Sequence, residues 1–131
     1  MKKKILFKGC GTAICTPFDK DGVNLKEFEK LLENQIQNKA DAIIVCGTTG
    51  EASTMSDDEK ASVIRCAVDF VDGKVPIIAG CGSNDTKKAI YNAKIAESLG
   101  VDGLLVVTPY YNKRTQLGLI KHFSKIAESV P

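Results

Sequence analysis

Tryptophan is absent from the 131 residues, histidine occurs once, methionine twice and proline four times. A single histidine, His122, far from any cysteine, leaves no histidine-built metal centre. Five cysteines without a C-x-x-C pair lack the spacing of a zinc site. No metal and no cofactor is therefore expected. No apolar run approaches the roughly 20 residues of a membrane span. The short run Ile5-Leu6-Phe7 is broken by Lys8 before it can become the apolar stretch of a secretory leader. Charge of one sign is lacking too, since 18 Lys+Arg face 16 Asp+Glu for a formal net charge of +2. Without a broad basic field, neither nucleic acid nor an anionic membrane is an expected partner. The one basic cluster, Met1-Lys2-Lys3-Lys4, reads as a solvated tail. The cysteines (Cys10, Cys15, Cys46, Cys66 and Cys81) are odd in number and mostly sit in apolar strand-like segments. They read as reduced, buried thiols acting as small hydrophobes in an intracellular, cytoplasmic protein.

What is present is a regular alternation. At 44% hydrophobic and 26% charged, the chain suits one globular domain with a core of its own. The run from Gly11 to Phe18 reads as a buried strand, ended by Pro17 and the turn signal Asp19-Lys20-Asp21-Gly22. Asn24 then stands three residues before Glu27 as a helix start, with Phe28, Leu31, Leu32 and Ile36 at helical spacing. The pattern recurs. The strand Ala42–Cys46 precedes a helix opened by Ser56-Asp57-Asp58-Glu59, with Val63, Ile64, Ala67, Val68 and Val71 on one face. The strand Val75–Gly80 precedes a helix from Asn84-Asp85-Thr86 to Gly100, and the strand Gly103–Thr108 a helix from Thr115 through Leu119, Phe123 and Ile126.

Strands that are apolar throughout imply a parallel sheet with both faces covered, hence an α/β fold. Two architectures fit: an open doubly wound sheet, or part of a TIM (β/α)8 barrel. The open sheet, as in a flavodoxin-like nucleotide binder, would place a glycine-rich phosphate loop after the first strand. Here that position holds Thr16-Pro17-Phe18-Asp19. Instead, polar groups gather after the strands, as Gly47-Thr48-Thr49-Gly50-Glu51, Gly82-Ser83-Asn84 and Pro109-Tyr110-Tyr111-Asn112. Active sites of barrels form on that rim. A complete barrel takes about 250 residues, so four βα units are expected to make half of one, a single partial barrel domain over residues 1–131.

The Gly47–Glu51 motif and Thr108-Pro109-Tyr110-Tyr111-Asn112 together resemble the dihydrodipicolinate synthase family of pyruvate-dependent class I aldolases, the superfamily that also holds N-acetylneuraminate lyase. The resemblance extends through Thr12–Phe18, Ile77–Gly80 and Gly118–Phe123. It implies that a lysine forms a Schiff base with pyruvate and that the derived enamine attacks aspartate semialdehyde, on the route to diaminopimelate and lysine. Carried over, Thr48 matches a proton-relay threonine and Thr49 the residue binding the pyruvate carboxylate. Tyr111 matches a relay tyrosine that reaches into a neighbouring subunit, and the family assembly is a homotetramer of tight dimers. The residue types suit these tasks. A Thr–Tyr chain can pass a proton without holding a charge. Gly47 and Gly50 are expected to permit a tight loop whose N–H groups meet a carboxylate. Taken alone, Gly-Thr-Thr-Gly-Glu is a strand-to-helix turn, and it is the tyrosine motif that turns it into a site.

Other residues carry plainer readings. His122 is expected to be packed or solvated, Glu51 to fix its own loop, Tyr110 to be an interface aromatic or to line an effector cleft, and Tyr91 to lie on an outer surface without a role. The family's imine-forming lysine lies on strand six and its second relay tyrosine on strand five, beyond Ser129-Val130-Pro131. Lys113, beside Arg114, is expected to be too solvated to replace that lysine. The chain is therefore expected to be inactive alone. Alternatives are another pyruvate-dependent lyase such as N-acetylneuraminate lyase, or a non-catalytic half-barrel that self-associates to cover its edges. In lysine-inhibited members an acidic residue stands where this chain has Lys88, and a histidine where it has Lys60, which implies insensitivity to lysine.

Overall fold

Every long helix begins at a polar residue that the sequence singles out. A computed structural model describes residues 5–131, so the basic stretch at 1–4 lies outside the described residues. Helix α1 (Leu25–Gln37) follows Asn24, whose side chain accepts the Glu27 N–H. Helix α2 (Asp57–Val71) opens with a full capping box: Ser56 Oγ accepts from Glu59 N–H at 3.2 Å, and the Glu59 carboxylate from Ser56 N–H at 2.7 Å. Helix α3 (Thr86–Ser98) follows Asp85, and α4 (Gln116–Ala127) follows Thr115. Such caps satisfy amides with no partner within the helix and contribute about 1 kcal/mol each.

The strands in chain order are β1 (Gly11–Ala13), β2 (Phe18–Asp19), β3 (Gly22–Val23), β4 (Ala42–Val45), β5 (Ile77–Gly80) and β6 (Gly103–Leu105). Strands β1, β4, β5 and β6 form one parallel sheet in that order, and β2 and β3 form a small antiparallel hairpin. The paired segments are shorter than the apolar runs. The run expected as one strand over Gly11–Phe18 is strand only over Gly11–Ala13, with one further bond from Ile14 N–H to Ile44 O at 3.0 Å, and Phe18 enters the hairpin.

The register aligns Ala13 with Ile44, Ile44 with Ile78, and Gly80 with Leu105 on one face of the sheet. On the other face Ile43, Val45, Ile77 and Ala79 are buried against Phe28, Leu32, Val63, Ala67 and Val71. Each of the larger side chains there contributes roughly 1.5–3 kcal/mol. The first face is open, with Ala13 exposed, Ile44 and Ile78 half-buried and Leu105 49% exposed. This corrects the expectation that both faces are covered: within this chain the helices cover one. The cysteine reading needs a related correction. Cys46 and Cys81 are buried, but Cys66 is intermediate, and Cys10 and Cys15 are exposed.

At the N-terminal end of the sheet the same latch occurs twice. Asp41 accepts the Cys10 N–H on its carboxylate at 2.7 Å and donates its own N–H to Cys10 O at 2.8 Å. Asp102 does the same with Ile77, at 2.9 and 2.8 Å. Each aspartate, sitting just before a strand, ties down the start of the neighbouring one.

Candidate active site

The opposite, C-terminal rim gathers the polar loops. After β4 the chain turns through residues 47–51, closed by Gly50 N–H to Gly47 O at 3.1 Å and Glu51 N–H to Thr48 O at 3.0 Å. The backbone N–H groups of Thr48 and Thr49 have no hydrogen-bond partner among the described residues, and both residues are exposed. Two consecutive free amides in a turn can receive an anion.

The glycines serve this turn differently from expectation. Neither Gly47 nor Gly50 has a positive φ; the left-handed residues are Cys46 (φ 54°) and Glu51 (φ 56°), one on each side. Gly50 sits in a tight place, since a Cβ there would lie 3.1 Å from Thr16 Oγ1 and 3.2 Å from Ile14 O. At Gly47 the nearest atom would be Ile44 Cγ2 at 4.0 Å, so neither space nor φ demands a glycine there. The third left-handed rim residue is Tyr111 (φ 63°), whose side chain is fully exposed. Non-glycine residues held this way store strain of order 1–3 kcal/mol each and cluster at functional sites.

A cavity of about 250 Å³ lies between the rim loops, lined among others by Gly47, Thr48, Lys60, Gly80, Asn92 and Tyr110. It is smaller than the roughly 300–1,000 Å³ usual for drug-sized ligands, which suits a small metabolite. Gly47 and Thr48 thus meet Tyr110 here, whereas Thr49 and Tyr111 do not line the cavity. The loop bearing both tyrosines is clasped to the loop before α3. Asn84 Nδ2 donates to Tyr110 O and Asn112 Nδ2 to Asn84 O, both at 3.0 Å.

Two thiols near this rim are inert in character. Burial pushes Cys46 up to about 12 despite nearby Lys60, and Cys81 up to about 11, so neither is a nucleophile at neutral pH. His122 is packed, with Nδ1 2.9 Å from Thr86 Oγ1 and the Phe123 ring edge-on. Lys113 is exposed. Glu51 fixes its loop through its carbonyl, which accepts from Thr54 N–H at 3.0 Å and from the Thr54 hydroxyl at 2.9 Å. Tyr91, expected on a bare outer surface, is half-exposed, borders a second cavity between α2 and α3, and lies under the Lys88 ammonium at 4.7 Å. Lys88 also pairs with Asp57. Sequence reasoning missed Thr16, buried with its hydroxyl 2.7 Å from Gly50 O; a lone polar residue between apolar Ile14-Cys15 and Pro17 was its signal.

The sequence model of the dihydrodipicolinate synthetase family matches residues 6–131. A 4-hydroxy-tetrahydrodipicolinate synthase from Clostridium tetani is 56% identical over 125 residues, covering 95% of this chain and 42% of that protein. The crystal structure of a dihydrodipicolinate synthase from Thermotoga maritima agrees with a TM-score of 0.92 at 47% identity, covering 95% of this chain and 42% of the other. That of the chloride-inhibited enzyme from Acinetobacter baumannii, complexed with pyruvate, gives 0.91 at 49% identity, covering 93% and 42%. The chain spans about two-fifths of the length of these relatives, and its parallel βα units correspond to the N-terminal part of their TIM barrel. With its motifs and its fold both matched, the chain belongs to the dihydrodipicolinate synthetase family.

Proposed function

We propose that residues 1–131 form one partial barrel domain of a 4-hydroxy-tetrahydrodipicolinate synthase, a lyase that condenses pyruvate with aspartate semialdehyde through a Schiff base in cytoplasmic lysine biosynthesis. The observation that carries this reading is the turn after β4, with two free amides on a rim bracketed by strained residues. A relative of 49% identity complexed with pyruvate supports it. In this reading Thr49, in the turn that Gly47 opens, binds the pyruvate carboxylate, whose negative charge suits the free N–H groups of Thr48 and Thr49. Thr48 passes protons between the reacting centre and Tyr111, each hydroxyl accepting one proton while donating another. The full exposure of Tyr111 suits a side chain completing a site in a second subunit of a homo-oligomer. The Schiff-base amine is assigned to a lysine outside this segment, as the family resemblance implies; Lys113 is exposed, whereas imine chemistry at neutral pH needs a desolvated, low-pKa amine.

Borohydride trapping with pyruvate, read by intact mass, tests the assignment. An enzyme of the relatives' length carrying this segment is expected to gain one pyruvyl adduct, and the 131-residue chain none. A stoichiometric adduct on the short chain, above all on Lys113, refutes it. Activity towards N-acetylneuraminate in place of aspartate semialdehyde would assign the segment to the sister lyase instead.

A further inference from the structure

The turn that carries Thr48 and Thr49 has few ties to the rest of the molecule. Its own bonds, from Gly50 N–H to Gly47 O, from Glu51 N–H to Thr48 O and from the Thr54 hydroxyl to Glu51 O, are all local. They close the turn on itself and leave its tilt over the sheet undetermined. Among the described residues, one side-chain hydrogen bond crosses from it to another element: Thr16 Oγ1 donates to Gly50 O at 2.7 Å, from a residue only 4% exposed and 34 positions away. Gly50 lies close to the same segment, where a Cβ would stand 3.1 Å from Thr16 Oγ1 and 3.2 Å from Ile14 O. The hydroxyl draws the turn in and the backbone stops it, so the separation between this turn and the segment leaving β1 is set from both directions. Cys46 and Glu51 hold the turn in a sparsely populated backbone conformation, which persists only when its surroundings over-determine it.

We infer that Thr16 is a positioning residue for the carboxylate-binding turn, its buried hydroxyl setting the height at which the Thr48 and Thr49 amides meet a substrate carboxylate. The inference rests on the pyruvate-site reading of that turn. Thr16 touches no substrate in this role and acts through Gly50 O. A valine fills the same volume but leaves Gly50 O buried without its donor. A serine keeps the donor and gives up only a methyl group. With the donor gone, the carbonyl regains a partner by turning towards water, and the free amides lose their aim.

Two measurements separate this inference from the reading beneath it. Hydrogen exchange over residues 47–52 needs no ligand and can be read on the 131-residue chain. Thr16→Val is expected to exchange there on the order of tenfold faster than wild type, the size of one lost buried hydrogen bond. Peptides from α2 should be unchanged and Thr16→Ser close to wild type. In the enzyme of the relatives' length, Thr16→Val is expected to raise the pyruvate KM about tenfold with a smaller fall in kcat, and Thr16→Ser to restore it. A long enzyme that neither traps pyruvate nor condenses it overturns the synthase reading, while the exchange data still decide the anchoring of the turn. Equal exchange in Thr16→Val and wild type, or an unchanged KM in an active enzyme, overturns the inference. Should the valine chain fail to fold, Thr16→Ala against Thr16→Ser gives the same comparison.

Discussion

Gly80→Ala adds one methyl group at the end of β5, where its Cβ would lie 2.1 Å from Cys46 O, 2.7 Å from Cys46 C and 3.0 Å from Gly47 N. The obstacle is the backbone leaving β4, not the tip of a side chain that could swing away. Relief requires the two strand ends to part by about 1 Å to regain normal van der Waals separation. The part that must move includes Cys46, already left-handed. Overpacking of this kind costs about 1–3 kcal/mol, and a rigid obstacle argues for about 3 kcal/mol. With a urea m-value of about 2 kcal/mol per M, the midpoint of unfolding by circular dichroism should fall by about 1.5 M. Gly47→Ala is the matched control: it stands on the same rim, has no positive φ and meets nothing nearer than 4.0 Å. It should stay within about 0.5 kcal/mol of wild type, as open sites do. Gly80→Ala as stable as wild type, or the two variants equally damaged, refutes the steric argument.

Thiol labelling of the native chain near neutral pH, followed by mass spectrometry, should modify Cys10 and Cys15 fast, Cys66 slowly, and Cys46 and Cys81 only after denaturation. Native labelling of Cys46 contradicts its burial. The Lys88 ammonium bonded to Asp57 holds that carboxyl below its ordinary value. The linked stability is therefore full above the ordinary carboxylate range and lost as pH falls through the lowered pKa. Both partners are partly solvated, so it amounts to less than about 1 kcal/mol. Wild type and Asp57→Asn should differ in urea midpoint at neutral pH and converge only as pH falls below the lowered pKa of Asp57; a pH-independent gap refutes this. An enzyme of the relatives' length carrying this segment should keep its rate in millimolar lysine, because Lys88 repels an ammonium ligand. Inhibition there overturns the expectation drawn from Lys60 and Lys88.

Helix starts were legible because a cap is a local device: Asn24, Ser56, Asp85 and Thr115 need only their next three residues to act. Strand ends were not, because pairing depends on a partner whose own chain turns away. Thus the apolar run through Val107 pairs only to Leu105. The same apolar pattern could not tell a covered sheet face from an open one, nor show that Cys10 and Cys15 lie just outside the paired segment Gly11–Ala13. The rim residues were legible as types and as motif, since Gly-Thr-Thr-Gly-Glu and Pro-Tyr-Tyr-Asn both stand directly after strands. Their conformations were not. Left-handed φ at Cys46, Glu51 and Tyr111 runs against their own preferences, so residue type gave no signal of it. The Asn84–Asn112 clasp and the Asp57–Lys88 pair are products of tertiary proximity alone.

The twin aspartate latches have a consequence for how such a fold can change. Asp41 and Asp102 fasten neighbouring strands at the end of the sheet opposite Thr48 and Tyr111. The β1–β4 and β5–β6 pairings are thereby fastened by bonds in which no rim loop takes part. Substitutions far apart and without shared partners combine nearly additively. Lesions at the latches and lesions at the rim should therefore accumulate independently, the first lowering stability and the second lowering function. A lineage could rewrite its rim loops while inheriting the same fastened base.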